Sequence, residues 1–296
     1  MKQLEFSTLR IFVAVAEEGS LSGAAEKVHL AIAAVSKRIT DLEASSGAAL
    51  FLRHARGVSL TPAGHALLQH AREILFRIDQ MQSDLHQYTP GMKGQLRIAS
   101  IGTALSQFLP TDLSHFSRAH PNVVIELSEL RSTEVIDGVR DGRFDIGIFA
   151  ATTPHDGLAT YPYHSDELCV VVPGDHPLAG RASVRFVDTL EYPYIGQPLG
   201  SSLLNTLLAH SAMRLKVRFH VRSGHIFCRM VHEGLGIGVM PAQFTQPHAA
   251  SMNIRALRLD ESWARREIYV GARSEQGLSA PAQEFIGHLR TPDAMR

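Results

Sequence analysis

The 296-residue chain, 45% apolar and 20% charged, is long enough for about two globular domains with separate cores. Its 29 basic and 29 acidic side chains cancel, which excludes a protein that grips nucleic acid by bulk charge and leaves that work to a local patch. No window approaches the ~20 apolar residues of a membrane span, and the charges at Glu5, Arg10, Glu17 and Glu18 are not those of a signal peptide. Cys169 and Cys228, far apart in apolar surroundings, suggest buried thiols in a reducing, cytoplasmic setting rather than a disulfide framework.

Leu4, Leu9, Phe12, Val13 and Ala16 predict a first amphipathic helix ending near Gly19. From Ser20 to Glu43 the 3.6-residue period gives two short helices joined by a turn at His29-Leu30-Ala31. Ser20 is placed to cap the first helix, and Ala24 and Ala25 let another helix pass close by. Val35, Ile39 and Leu42 form the apolar stripe of the second, with Leu30 expected to pack in the turn. Ser36, Lys37, Arg38 and Thr40 fall largely off that stripe. The pattern fits a helix-turn-helix that shows a polar, cationic face to a DNA major groove; an ordinary helical hairpin with a solvated basic face shares it. Between Lys27 and Arg56 five cations face two anions, a modest excess that implies binding dependent on dimerisation.

Gly47 ends the second helix. The extended runs 49–53 and 58–60 flank His54-Ala55-Arg56-Gly57 and read as a two-stranded wing. Arg56 would sit at its tip and Arg53 near its base, in reach of phosphates or the minor groove; a surface hairpin with ordinary arginines is the alternative. Thr61-Pro62 then opens a helix that meets no breaker until about Tyr88. Leu67, Ala71, Ile74, Ile78, Met81 and Leu85 recur at alternating spacings of four and three, the seam of a coiled coil, widened by Leu68 and Leu75. The seam implies dimerisation, which would also set the spacing of two recognition helices.

Thr89-Pro90-Gly91-Met92-Lys93-Gly94 breaks the helix and marks a domain boundary. Beyond it the expected order is strand 96–100, helix 105–120, strand 123–130, helix 133–141 and strand 144–149. Such βαβαβ order implies parallel strands. A second unit begins near Asp166, with strand 167–172, helix 201–212, strand 216–221, helix 225–233 and strand 236–240 ended by Pro241. Strands 254–259 and 267–272 and a helix over 281–289 close the chain. Two α/β lobes with a ligand cleft between them follow from this order. The turns at Ser100-Ile101-Gly102-Thr103, Arg131-Ser132-Thr133 and Leu199-Gly200-Ser201-Ser202 stand at or near helix starts, where an anion is favoured. Each taken alone is an ordinary N-cap; together they point to a small anionic effector such as a carboxylate. Phe149, Gln197, His225 and Ile226 are further candidates for the pocket wall.

The chain resembles the LysR-type transcriptional regulators along its whole length. The resemblance is carried by 9–20, Ala24-Ala25, Val35-Ser36, Leu42-Glu43, Gly47, Phe51-Leu52-Arg53 and Leu60-Thr61-Pro62-Ala63-Gly64. In the second half 142–148 (GRFDIGI) and 234–241 (GLGIGVMP) carry it. It implies an α/β protein with an N-terminal winged helix-turn-helix over 1–61, a long linker (dimerisation) helix over 62–89 and a hinge over 90–94. A two-lobed, periplasmic-binding-protein-like effector domain follows over 95–296, with lobe I at about 95–164 and 267–296 and lobe II at about 165–266. Implied partners are double-stranded DNA, a small-molecule effector and a second copy in a homodimer or homotetramer; no cofactor, metal or catalytic residue is implied. Ser100 and Ser132 stand where related regulators hold effectors, and Ser201 or Ser202 is the opposite-lobe candidate.

One departure concerns the DNA reader. Where the family often has Ser-Gln-Pro, this chain has Ala31, Ile32 and Ala33. A capping hydroxyl and an adenine-reading amide are thereby lost, leaving Ala33 for a thymine methyl and Ser36, Lys37 and Arg38, with Arg53 and Arg56 of the wing, for polar contacts. The glycine run at 234–238 follows a helix and enters a strand, the reverse of a dinucleotide fingerprint. Sixteen histidines show no metal-ligand spacing. The competing expectation is a small-molecule-binding or enzymatic α/β protein with an incidental helical N-terminal domain.

Overall fold

The computed structural model describes residues 5–55, 57–86, 93–212, 214–249, 251–274 and 278–290, without the side chains of 79, 80, 82–84 and 86. Near residue 90 the chain divides into two compact units. Among the described residues no helix is long and apolar enough to cross a membrane.

The first unit holds α1 (Phe6–Glu18), α2 (Leu21–Lys27) and α3 (Ile32–Ser46), the hairpin β1 (Phe51–His54) and β2 (Gly57–Leu60), and α4 (Pro62–His86). Leu9, Phe12, Val15, Ala24, Ala25, Val35, Ile39 and Leu42 close into one core, each large apolar side chain worth roughly 1.5–3 kcal/mol on burial. Ser20 caps α2 by accepting from the Gly23 N–H at 3.0 Å, whereas Ala31 gives α3 no side-chain cap. Leu30 is 46% exposed, so it does not pack in the turn. The core is already filled by the α3 stripe, and His29 in a left-handed conformation (φ 54°) carries the chain outward.

The wing is an antiparallel pair, Phe51 opposite Leu60 and His54 opposite Gly57. Glu43 on α3 fixes its base, accepting from the N–H groups of Leu50 (2.8 Å) and Phe51 (3.1 Å). On the other strand the Val58 N–H donates to the Gly19 carbonyl at 2.8 Å. Gly57 holds φ 136°, and a Cβ there would stand 2.2 Å from the Gly19 oxygen, so only glycine fits. Thr61 caps α4 by accepting from the Gly64 N–H at 3.0 Å while its hydroxyl donates to the Ala49 carbonyl at 2.7 Å.

The second unit begins with β3 (Gly94–Ser100), α5 (Gly102–Gln107), α6 (Leu109–Ala119), β4 (Val123–Glu129), α7 (Ser132–Arg140) and β5 (Ile146–Ala150). β3 lies between β4 and β5, parallel to both. One helix was expected over 105–120, and two are found. Pro110 has no N–H for an earlier carbonyl, so the helix restarts with the proline in its first turn.

There follow β6 (Ala159–Pro173), β7 (Ser183–Val184), β8 (Tyr194–Gly196), α8 (Ser202–His210), β9 (Val217–His220), α9 (Gly224–His232), β10 (Gly238–Pro241), α10 (Ala242–Ala249), β11 (Ile254–Leu259), β12 (Arg265–Ala272) and α11 (Ala280–Arg290). β6 runs far beyond the expected 167–172. Its first half pairs with β12, its second half with β10 and β11. One strand therefore belongs to both lobes, each with its own core. Pro162 is tolerated because that half of β6 is paired on the β12 side alone.

Glu43→Ala leaves two half-buried N–H groups without an acceptor and is expected to lower stability by about 1–3 kcal/mol in chemical unfolding of the full chain. A loss below about 0.5 kcal/mol would show that the wing is held by packing alone.

Candidate functional site

In the winged unit the first half of α3 carries Ile32, Ala33, Ser36 and Lys37, with Ser36 half-buried and the others exposed. Lys37 has no ion-pair partner among the described residues. Arg38 is engaged at the start of α1, donating to Glu5 at 2.6 Å and to the Thr8 hydroxyl at 3.1 Å. That hydrogen bond holds the Glu5 carboxyl below the usual carboxylate range. Arg38 thus ties α3 to α1, while Lys37 stays exposed. Arg53 is exposed on β1; Arg56 lies outside the described residues.

The seam residues on α4 divide in two. Ala71 is fully buried and Leu67 half-buried against the core of the same unit, which corrects the expectation that they face a second chain. The spacing could not distinguish a helix's own core from a partner. Ile74, Met81 and Leu85 are exposed, by 38%, 55% and 61%. With Phe6 and Ile78, Ile74 and Met81 line a shallow apolar groove of about 360 Å³.

In the second unit a cavity of about 540 Å³ opens between the lobes. Gly102 and Thr103 at the start of α5, Ser132 at the start of α7, Gln197 after β8, Ser201 and Ser202 at α8 and His225 on α9 line it. All three turns singled out in the sequence thus reach one cleft. Three expected residues do not. Ser100 is fully buried with its hydroxyl donating to the Ile101 carbonyl, Phe149 is fully buried in a core beside Val135 and Ile136, and Ile226 is exposed but lies off the cleft. Strand ends point alternately into the cleft and into the core, and sequence alone left that phase undetermined.

Charged lining residues were missed. Arg131 at the head of α7 bonds Glu134 at 2.7 Å, and the Arg131 N–H donates to the same carboxylate at 3.0 Å; these bonds, the side-chain one first, lower the pKa of Glu134. Arg266 on β12 is cross-strand to Asp166 on β6, with Nε donating at 2.8 Å and a second guanidinium nitrogen bonding the other carboxylate oxygen. Both side chains are nearly buried, 10% and 1% exposed. Arg222, between β9 and α9, has no carboxylate within ion-pair distance among the described residues, though its field reaches Glu134. Glu129, at the end of β4, lines the cleft with its carboxylate over Gly102, where a Cβ would stand 2.7 Å from an oxygen. Met240, Phe244 and Leu105 supply an apolar wall. Phe244 sits on α10, a helix hidden in the sequence because Pro241 reads as a stop and Pro247 lies inside it.

Among the described residues no group of His, Cys, Asp and Glu is arranged to hold a metal ion. Cys169 and Cys228 are buried, and burial pushes both thiols up to about 11.

A winged helix-turn-helix carrying a long helix, with a two-lobed α/β module around a small-molecule cleft, defines a ligand-responsive DNA-binding regulator. A family model of the LysR substrate binding domain matches residues 90–292, and one of the bacterial regulatory helix-turn-helix protein, lysR family, matches residues 6–65. The chain belongs to the LysR family of DNA-binding transcriptional regulators with a small-molecule effector-binding domain. It is 27% identical over 266 residues to the HTH-type transcriptional regulator CysL of Bacillus subtilis, covering 89% of each chain. It is 29% identical over 279 residues to BenM of Acinetobacter baylyi, covering 92% of this chain and 90% of that one. Full-length CbnR in complex with its target DNA shares the fold, with a TM-score of 0.66, 22% identity and coverage of 97% of this chain and 99% of the other.

The thiols' raised pKa keeps them protonated at neutral pH, where a thiol is a poor nucleophile. The native protein is therefore expected to leave both cysteines unmodified by a thiol reagent at about pH 8, and to react at both once denatured. Prompt modification of either in the native state would contradict their enclosure.

Proposed function

We propose that the protein is a non-enzymatic, homodimeric regulator, acting on DNA in the cytoplasm, whose operator affinity is set by a small carboxylate held between the lobes of its second unit. The observation that carries this reading is the cleft itself. Its volume suits a small metabolite, and the first turns of α8 and α9, both nine-residue helices, open on it beside the cation Arg222. A ligand with different affinities for open and closed lobes would shift their balance, the requirement for any coupling to DNA.

On the DNA side we assign base and phosphate contacts to Ala33, Ser36, Lys37 and Arg53, with Arg38 as the residue that orients α3. Ile32, 53% exposed beside Ala33, offers a further apolar group for a thymine methyl. For assembly, the exposed half of the α4 seam from Ile74 to Leu85 supports pairing with a second copy.

Lys37→Ala is expected to weaken operator binding across sequences and to reduce the salt slope by about one. Gel-shift titration at several salt concentrations reads both; unchanged affinity and slope would remove this face as the DNA reader. Met81→Asp combined with Leu85→Asp is expected to yield monomers in sedimentation velocity. Persistence of the wild-type species would place the dimer contact elsewhere.

A further inference from the structure

The charges that line the cleft narrow the class of carboxylate it takes. Two of its cations are already neutralised, Arg131 by Glu134 and Arg266 by Asp166. Two charged groups remain without an ion-pair partner among the described residues. They are Arg222 on the lobe II wall and Glu129 on the lobe I wall, and they carry opposite signs.

Glu129 occupies a telling position. Its carboxylate rests over Gly102, where the start of α5 would otherwise be open. A ligand carboxylate brought to that wall meets a like charge, and a ligand ammonium meets an opposite one. The reverse holds at Arg222, which lines the cleft together with Ser201 and Ser223, the N-caps of α8 and α9. The same cleft is lined by the apolar side chains of Leu105, Met240 and Phe244. One wall repels what the other attracts, so a molecule with a single charge gains at one side and loses at the other.

We infer that the effector is a small zwitterion, an amino acid with an apolar side group. Its carboxylate lies toward Arg222 and the starts of α8 and α9, its ammonium toward Glu129, and its side group against Phe244 and Met240. This rests on the cleft being the effector site and names the class of molecule that site takes.

The test uses the full chain and calorimetric titration with alanine, valine, leucine, methionine and phenylalanine. Each is matched with the acid that lacks the ammonium and the amine that lacks the carboxylate. At least one amino acid is expected to bind, with its acid and amine each weaker by about tenfold or more. Glu129→Gln, an exposed and near-isosteric change, is expected to abolish the preference for the amino acid over its acid. Arg222→Gln is expected to weaken both. The inference is overturned if no amino acid of the series binds, if an acid matches its amino acid on the wild type, or if Glu129→Gln leaves the preference intact. Ser202→Trp, which fills the cleft, separates the two levels of the argument. If it leaves binding unchanged, the cleft reading fails as well; if it abolishes binding of an acid that equals its amino acid, the cleft stands and the zwitterion does not.

Discussion

The ion pair of Arg266 and Asp166 sits where β6 and β12 pass from one lobe toward the other, and the geometry of the cleft depends on it. Burying two charges costs several kcal/mol per ion, recovered only when the pair is close and its hydrogen bonds are met. Here the residues are directly opposite in the strand register and joined by two bonds. Such a pair has one arrangement that satisfies it, so the register of β12 on β6 is pinned at the cleft floor. A one-residue slip would bury both charges alone and turn every neighbouring side chain to the wrong face.

That constraint explains why a single strand can serve two lobes. β6 gives its first half to a sheet with β3, β4, β5 and β12, and its second half to β10 and β11. Each lobe keeps its own apolar core, and β6 is shared between them. The cleft's polar groups come from turns that follow strands on both sides, and helix starts, Glu129 and Arg222 line it. In the winged unit the same economy holds. Glu43 and the Gly19 carbonyl fix the wing through backbone N–H groups, leaving Arg53 and the outer face of α3 uncommitted.

Much of this was legible in the sequence. Local periodicity located α1 to α4, the wing and the parallel strands β3, β4 and β5, because each is set by a repeating apolar pattern and a strong cap or stop. What escaped depends on contacts distant in the chain. The first half of β6 has no apolar run and contains Pro162; only pairing with β12, about a hundred residues later, makes it a strand. α10 carries Pro247 and follows Pro241. Ala71 matched a dimer seam because an apolar position reads alike whatever it packs against. The cleft was foreseen through its small hydroxyls, yet Ser100 and Phe149 turned out to face the core. Glu129, Arg222 and Arg266 were missed, and Arg131 was read only as part of a turn, because only the fold shows which charges line the cleft and which are paired.

The most direct measurement of the claim about the cleft floor is a double-mutant cycle on the unfolding free energy of the full chain. Asp166→Leu, Arg266→Met and the double variant would be compared with the wild type. Each single change should cost about 3–5 kcal/mol, because it strands a buried charge, and the double variant should recover most of that loss. Losses that simply add, or single changes costing under about 1 kcal/mol, would show that the crossing strands are aligned by something other than this pair.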